Sequence, residues 1–206
     1  QNYGGHRSTM KQKKIKIITL GTFEVTSDKL VISDPCYDLG TWCMGTVPNV
    51  KPGLWTATIG IADTGEFGER IAFLAAFHQD SPPIQKLKAC PASFDVGVDS
   101  GQAGIFDYNH FHDEEVIEDQ ELTDFGSRWF TYCCYQTLDG EHHAGLIPYG
   151  VVASSGFGDG CYSCYVYTDW DSKAASWGVI IDFQLTEMRK IMRQLLSKQE
   201  KEGQTH

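Results

Sequence analysis

The stretch Ser154-Ser155-Gly156-Phe157-Gly158-Asp159-Gly160 is the part of the chain best equipped for chemistry. Its alternating glycines free the backbone to take positive φ and to approach a ligand closely. Successive backbone N–H groups in such a loop could cradle an anion. The Asp159 carboxylate could instead meet a cation or a sugar-like hydroxyl. The spacing is not the dinucleotide fingerprint G-x-G-x-x-G. The residues after the loop read as a strand, whereas phosphate-binding loops depend on a helix there. The same residues would also serve as a tight turn or a bulge between strands.

Two further turns carry carboxylates: Asp99-Ser100-Gly101, with Asp107 beyond it, and Asp34-Pro35-Cys36-Tyr37. An aspartate at a strand end followed by glycine commonly caps a turn. If Asp34, Asp99, Asp107 and Asp159 met on one face, they could hold Mg²⁺ or Ca²⁺, which take oxygen ligands. They could also divide acid and base roles, if burial split their pKa values. Cys161-Tyr162-Ser163-Cys164 is a lone C-x-x-C, and a zinc site would need a second pair, for which Cys36 and Cys43 are the only option. In a strand the two thiols of C-x-x-C face opposite sides, so buried structural thiols are expected. His110, His112, His142 and His143 fall in polar loops. His78, at a strand end, is the best single general base, and Cys36 with His78 is a conceivable Cys–His pair without a local signature. Ser154 and Ser155 do not form a G-x-S-x-G nucleophile elbow. Trp42, Tyr37, Phe157, Tyr162 and Trp170 flank these loops and could stack on a base or sugar, or serve as core and lid.

These turns need strands to hold them. Ile15 to Leu20, Thr22 to Val25 and Lys29 to Ile32 read as short strands. Asp38 to Pro52 reads as a long loop. Leu54 to Ile61 alternates, with Trp55, Ala57, Ile59 and Ile61 on one face. Arg70 to Phe77 is almost wholly apolar and reads as a central strand ending at His78. Ser81 to Pro91 reads as a loop, ahead of strands over Phe94 to Val98 and Ala103 to Phe106. Asp113 to Glu121 is a strongly acidic helix or loop. Ser127 can cap a helix carrying Trp129, Phe130, Cys133 and Cys134. Leu146 to Ala153 reads as one strand. Tyr162 to Tyr167 and Ala174 to Phe183 read as a hairpin around Asp169 to Lys173. Leu185, Met188, Ile191, Met192, Leu195 and Leu196 form an amphipathic helical stripe that should pack on the sheet. The expected class is α+β: β-rich, mostly antiparallel, a sandwich or half-barrel, with a C-terminal amphipathic helix and one or two further short helices.

The chain has 206 residues, 41% hydrophobic and 21% charged, the mix of a globular protein. Residues 1–9 read as a remnant of an expression tag ahead of a natural start at Met10. Residues 10–202 read as one globular domain, and 203–206 as a tail that frays. The longest apolar runs are far short of a membrane span. The polar N-terminus lacks the apolar region of an export signal. With seven cysteines, an odd number, this predicts reduced thiols in a cytoplasmic protein. The net charge of −10 argues against nucleic acid as the main partner. A basic protein or a cationic ligand suits that field better.

Ser33-Asp34-Pro35-Cys36-Tyr37, Val98-Asp99-Ser100-Gly101-Gln102-Ala103-Gly104 and Ser155-Gly156-Phe157-Gly158-Asp159-Gly160-Cys161-Tyr162 are three boxes with a joint resemblance. Trp129 to Thr137, Gly150-Val151-Val152 and Ile181-Asp182-Phe183 fit it as well. Together they resemble a bacterial and phage-associated family known only as a domain of unknown function. Its members pair a VDSG or VDAG box with a later SGxGDGxY box. The resemblance covers nearly the whole stretch from Met10 to Phe183 and implies no catalytic residues. Some relatives sit among phage–bacterium or toxin–immunity genes, which implies an interaction role by association alone.

The resulting expectation is a non-catalytic binding module for a small polar ligand or a protein partner. Its site would comprise Asp34, Tyr37, Asp99, Ser100, Ser155, Gly156, Gly158, Asp159, Gly160 and Tyr162. No metal, cofactor, membrane or nucleic acid is assigned to it. The alternatives are a metal-dependent hydrolase using the four aspartates, and an immunity-type protein whose acidic face, Asp113 to Glu121, blocks a basic partner.

Overall fold

The computed structural model describes residues 15–89, 94–170 and 175–203. In chain order its strands are β1 (Ile15–Val25), β2 (Lys29–Ser33), β3 (Gly45–Pro48), β4 (Gly53–Asp63), β5 (Glu69–His78), β6 (Leu87–Ala89), β7 (Phe94–Val98), β8 (Gln102–Asp107), β9 (Ala144–Ile147), β10 (Gly150–Ser154), β11 (Gly160–Asp169) and β12 (Ser176–Asp182). The helices are α1 (Arg128–Leu138) and α2 (Met188–Gly203). Two antiparallel sheets result. One runs β1-β4-β5-β12-β11-β6, with β7 also paired to β11; the other runs β3-β2-β8-β10-β9. The α+β, β-rich architecture is the one expected from the sequence.

Side-chain alternation makes the layers. Trp55, Ala57 and Ile59 of β4 join Leu74 and Ala76 of β5 and Leu30, Ile32, Ala103 and Val151 of the smaller sheet in one shared core. The larger sheet buries its other face as well. Phe73 and Ala75 of β5 meet Ile191 and Leu195 of α2, with Leu185, Met188, Met192 and Leu196 packed alongside. This explains why β5 reads as a continuous apolar run: with both faces covered, no position is left for a polar residue. The stripe expected to pack on the sheet does so. On the smaller sheet, Trp129 and Cys133 of α1 cover Val31, Phe106 and Val152. Ser127 caps α1, its hydroxyl accepting from the Phe130 N–H at 3.2 Å.

Four readings of the sequence are corrected. The two strands expected at 15–25 are one strand with a bulge: the register to β4 shifts between Thr19 and Gly21. Gly21 absorbs the irregularity at φ +134°, which a side chain would resist. Leu146 to Ala153 is not one strand but the hairpin β9–β10, turned at Pro148-Tyr149 with Tyr149 at φ +61°. The loop over Asp38 to Pro52 contains the short strand β3, and the loop over Ser81 to Pro91 contains the short strand β6. Cys90, Pro91 and the tip of the turn expected at Asp169–Lys173 lie outside the described residues.

Candidate functional site

Two fully buried aspartates bracket the β2–β8 pair. The strands run antiparallel, with Leu30 opposite Asp107 and Ser33 opposite Gly104. Asp34 comes directly after β2 and grips the turn that leads into β8. Its Oδ1 accepts from the Cys36 N–H at 2.8 Å and the Ser100 hydroxyl at 2.6 Å; its Oδ2 accepts from the Asp99 and Ser100 N–H groups at 2.8 and 2.7 Å. Asp107 ends β8 and grips the turn that leads into β2. Its carboxylate accepts from the N–H groups of Thr26 and Ser27, each at 3.1 Å, and from both of their hydroxyls. Each strand therefore ends in a carboxylate that fixes the start of its partner. Such hydrogen bonds to an ionised acceptor are the strong kind.

The Asp34 end gathers all three boxes. The Tyr37 hydroxyl donates to the Asp99 carboxylate, which pushes the phenol's pKa upward because the bond favours its protonated form. The Gly101 N–H donates to Asp159 at 3.0 Å, and the Ser155 N–H donates to the Gly101 carbonyl at 3.0 Å. The glycine loop is also closed on itself. The Ser155 hydroxyl donates to the Gly158 carbonyl at 2.7 Å, and the Tyr162 hydroxyl reaches the carbonyls of Ser155 at 3.0 Å and Gly158 at 2.6 Å. Gly156 sits at φ +59°, where a Cβ would also press to 3.1 Å from the Cβ of Phe183. Gly160 begins β11 opposite Val98 of β7. The ten residues singled out from the sequence thus belong to one connected junction, and the bonds described for them run within the chain.

The four-aspartate set does not form. Asp107 stands at the far end of β8 from the Asp99–Gly101 turn, five strand steps or roughly 17 Å away. Asp34 already accepts four hydrogen bonds. Among the described residues, no group of three or more His, Cys, Asp or Glu side chains is arranged to hold a metal ion.

The other reactive groups are also engaged. His78 is buried. Its Nδ1 accepts from the Asp80 N–H at 3.0 Å, so Nε2 carries the proton and donates to the Pro52 carbonyl at 3.2 Å. His112 donates to the Pro35 carbonyl, and His143 to the Thr137 carbonyl. His110 meets Asp113 at 2.9 Å and draws that carboxyl below its ordinary range. Cys161 is exposed while Cys164 is buried, the opposite-face placement expected of i and i+3 in a strand. Much of the acidic segment is spent locally. The Glu114 carboxylate accepts from the first N–H groups of α1, on Arg128 and Trp129, and pairs with the Arg128 guanidinium at 3.4 Å.

Cys36 is exposed at the surface, yet burial of its thiol and the adjoining Asp34 carboxylate push its pKa up to about 12. The thiolate is the reactive species. Alkylation of Cys36 by iodoacetamide at pH 8.5, followed by peptide mass spectrometry, is therefore expected to run more than about tenfold slower than for a free cysteine. The rate should rise only as pH approaches the thiol's pKa. A rate equal to that of the free amino acid would contradict this environment.

Beside the junction lies a cleft of about 410 Å³. Ile61 of β4 and Ile71 of β5 supply apolar walls, Leu138 ends α1 over it, and His143, Ser154 and Gly156 close the side toward the glycine loop. Lys16, Arg70, Glu69 and Glu141 bring charge of both signs to it. The sequence gives no sign of this cleft. Its walls come from β1, β4, β5, α1 and β10, and no local pattern links them; of the ten expected site residues, Gly156 alone lines it.

A family model described as a protein of unknown function, DUF4241, matches residues 23–176. The chain belongs to this family. The DUF4241 match contains all three boxes and both gripping aspartates, while α2 lies beyond it. No curated protein and no solved structure matches the chain.

Proposed function

We propose that this DUF4241 chain is a non-catalytic binding module that takes a small polar molecule in the cleft beside Ser154–Gly156. The observation that carries the reading is the cleft itself. Its volume of about 410 Å³ falls within the roughly 300–1,000 Å³ usual for ligand sites, and its walls combine two isoleucines with a few convergent polar groups. The His143 ring donates from Nδ1 to the Thr137 carbonyl at 3.1 Å, leaving Nε2 as an acceptor when the ring is neutral. The glycine loop that forms one wall is held by the Asp34 junction, so the wall is pre-formed. Pre-formed walls reduce the ordering cost of binding. In this reading the conspicuous box residues act as the frame of the site, with Gly156 on its surface.

The test is a thermal-shift panel of sugars, nucleosides and amino acids on the wild-type chain and on Leu138→Trp. Leu138 is 58% exposed, so the larger ring should fill the cleft without disturbing the core. At least one compound is expected to stabilise the wild type and to lose its effect in Leu138→Trp. A panel with no binder, or binders indifferent to Leu138→Trp, would overturn the reading. Hydrolase turnover abolished by Asp159→Ala would replace it with a catalytic one.

A further inference from the structure

The side chain of Trp42 is 93% exposed, with Leu39 beside it in the same loop at 48%. An indole left in water is unusual and is the type of residue that dominates protein interfaces. The loop that presents it is tied down. The Thr41 N–H and hydroxyl both donate to the Asp38 carbonyl, at 3.2 and 2.6 Å, and the Met44 N–H donates to the Thr41 carbonyl at 3.2 Å. Cys43, the next residue, is buried. Its carbonyl accepts from the Gly97 N–H at 2.9 Å, which fastens the loop to β7. Trp42 is thus displayed by a fixed scaffold.

The loop and the segments next to it carry four exposed aspartates, Asp38, Asp95, Asp99 and Asp159. Asp95 in β7 alternates to the same face as Gly97, and Asp99, in the turn just beyond its end, accepts from the Tyr37 hydroxyl at the start of the same loop. That face meets the loop, since a Cβ on Gly97 would lie 2.9 Å from the Cβ of Cys43. One two-residue strand step is about 7 Å, so Asp95 lies within one step of the contact point. The Asp38 side chain in the loop is fully exposed. Asp159 joins them through the Gly101 N–H. Among the described residues, none of these four aspartates is ion-paired to a lysine or arginine; Asp38 lies 3.8 Å from the His112 ring, and Asp95 and Asp99 each accept from a hydroxyl, of Ser163 and Tyr37. β7 is also an edge strand, with β11 as its ladder partner.

We infer that the Leu39–Trp42 loop and the β7 edge form a docking surface for a protein segment rich in arginine. Charge complementarity selects that occupant. These exposed carboxylates would repel the phosphates of nucleic acid and of anionic membranes. A guanidinium satisfies both parts of the surface: it stacks on an indole face and pairs bidentately with a carboxylate. The net charge of −10 draws such a partner in over a distance. This surface is separate from the Ser154–Gly156 cleft, and the two proposals stand or fall independently.

The experiment is fluorescence anisotropy with a labelled nine-arginine peptide at physiological salt. Wild type, Trp42→Ala, Asp95→Asn/Asp99→Asn and Glu118→Gln/Glu121→Gln are compared; the last pair removes the same charge elsewhere. The peptide is expected to bind the wild type, to weaken at least about tenfold in Trp42→Ala and in the Asp95/Asp99 variant, and to keep its affinity within about twofold in the control. Trp42 makes too little contact for its loss to unfold the chain, which unchanged circular dichroism would verify. An unaffected Trp42→Ala, a control as weakened as the Asp95/Asp99 variant, or binding to phosphatidylserine vesicles or single-stranded DNA in place of the peptide would overturn the inference.

Discussion

Asp34→Ala is expected to lower the stability of the fold by about 3–5 kcal/mol, measured as a fall in the urea midpoint at unchanged slope. The size reflects what the side chain does. Asp34 is 0% exposed and its two oxygens hold four donors from two separate turns. Removing the carboxylate leaves the Cys36, Asp99 and Ser100 N–H groups and the Ser100 hydroxyl without their acceptor, and opens a void at the end of β2. Asp99 and Ser100 are exposed residues and can turn to water, which keeps the loss from being larger. Asn in place of Asp34 keeps the volume but turns an amide donor toward N–H donors, so it should rescue little. Ser100→Ala deletes a single donor and should cost only about 1 kcal/mol. A loss below about 1 kcal/mol in Asp34→Ala would mean that the carboxylate is not a clamp.

Asp107→Ala should be as damaging, again about 3–5 kcal/mol. Here the released groups are the N–H and hydroxyl of both Thr26 and Ser27. They form the turn between β1 of the larger sheet and β2 of the smaller one, so the carboxylate fixes how the chain crosses between layers. Local hydrogen exchange separates the two variants: Asp107→Ala should expose the amides of 26–27, and Asp34→Ala those of 99–100. Because the two sites lie at opposite ends of β2–β8, partial substitutions at each, Ser100→Ala and Ser27→Ala, should add within about 0.5 kcal/mol. Strong coupling between them would show that the β2–β8 pair opens as one unit.

The strands that reveal themselves in the sequence are those covered on both faces or alternating cleanly. β5 is legible because the unbroken apolar run from Ile71 to Phe77 leaves one placement, and α2 because its stripe keeps helical spacing. The β9–β10 hairpin is not, because the Pro148-Tyr149 turn demands a left-handed tyrosine, which no turn rule foretells. The bulge at Gly21 is hidden for the same reason: its need is set by the register with β4. At the site, glycine and aspartate mark the turns that converge, but composition cannot tell a carboxylate that binds from one that is already bound. Asp34 and Asp107 look alike in sequence to Asp99 and Asp159; only burial and four in-chain donors apiece distinguish the first two. The cleft is illegible because Ile61, Ile71, Leu138 and His143 have ordinary local roles, and only the stacking of the layers brings them together.

Amide hydrogen exchange at Asp99 and Ser100 tests the clamp at its root. Both residues lie in an exposed turn, where unprotected amides exchange within seconds at neutral pH. If the two N–H groups are donated to a buried carboxylate, they should exchange only with opening of the β2–β8 pair, near the rate of the β8 ladder itself. Free exchange at both positions, with β8 still protected, would contradict the account and leave the three boxes as independent surface turns.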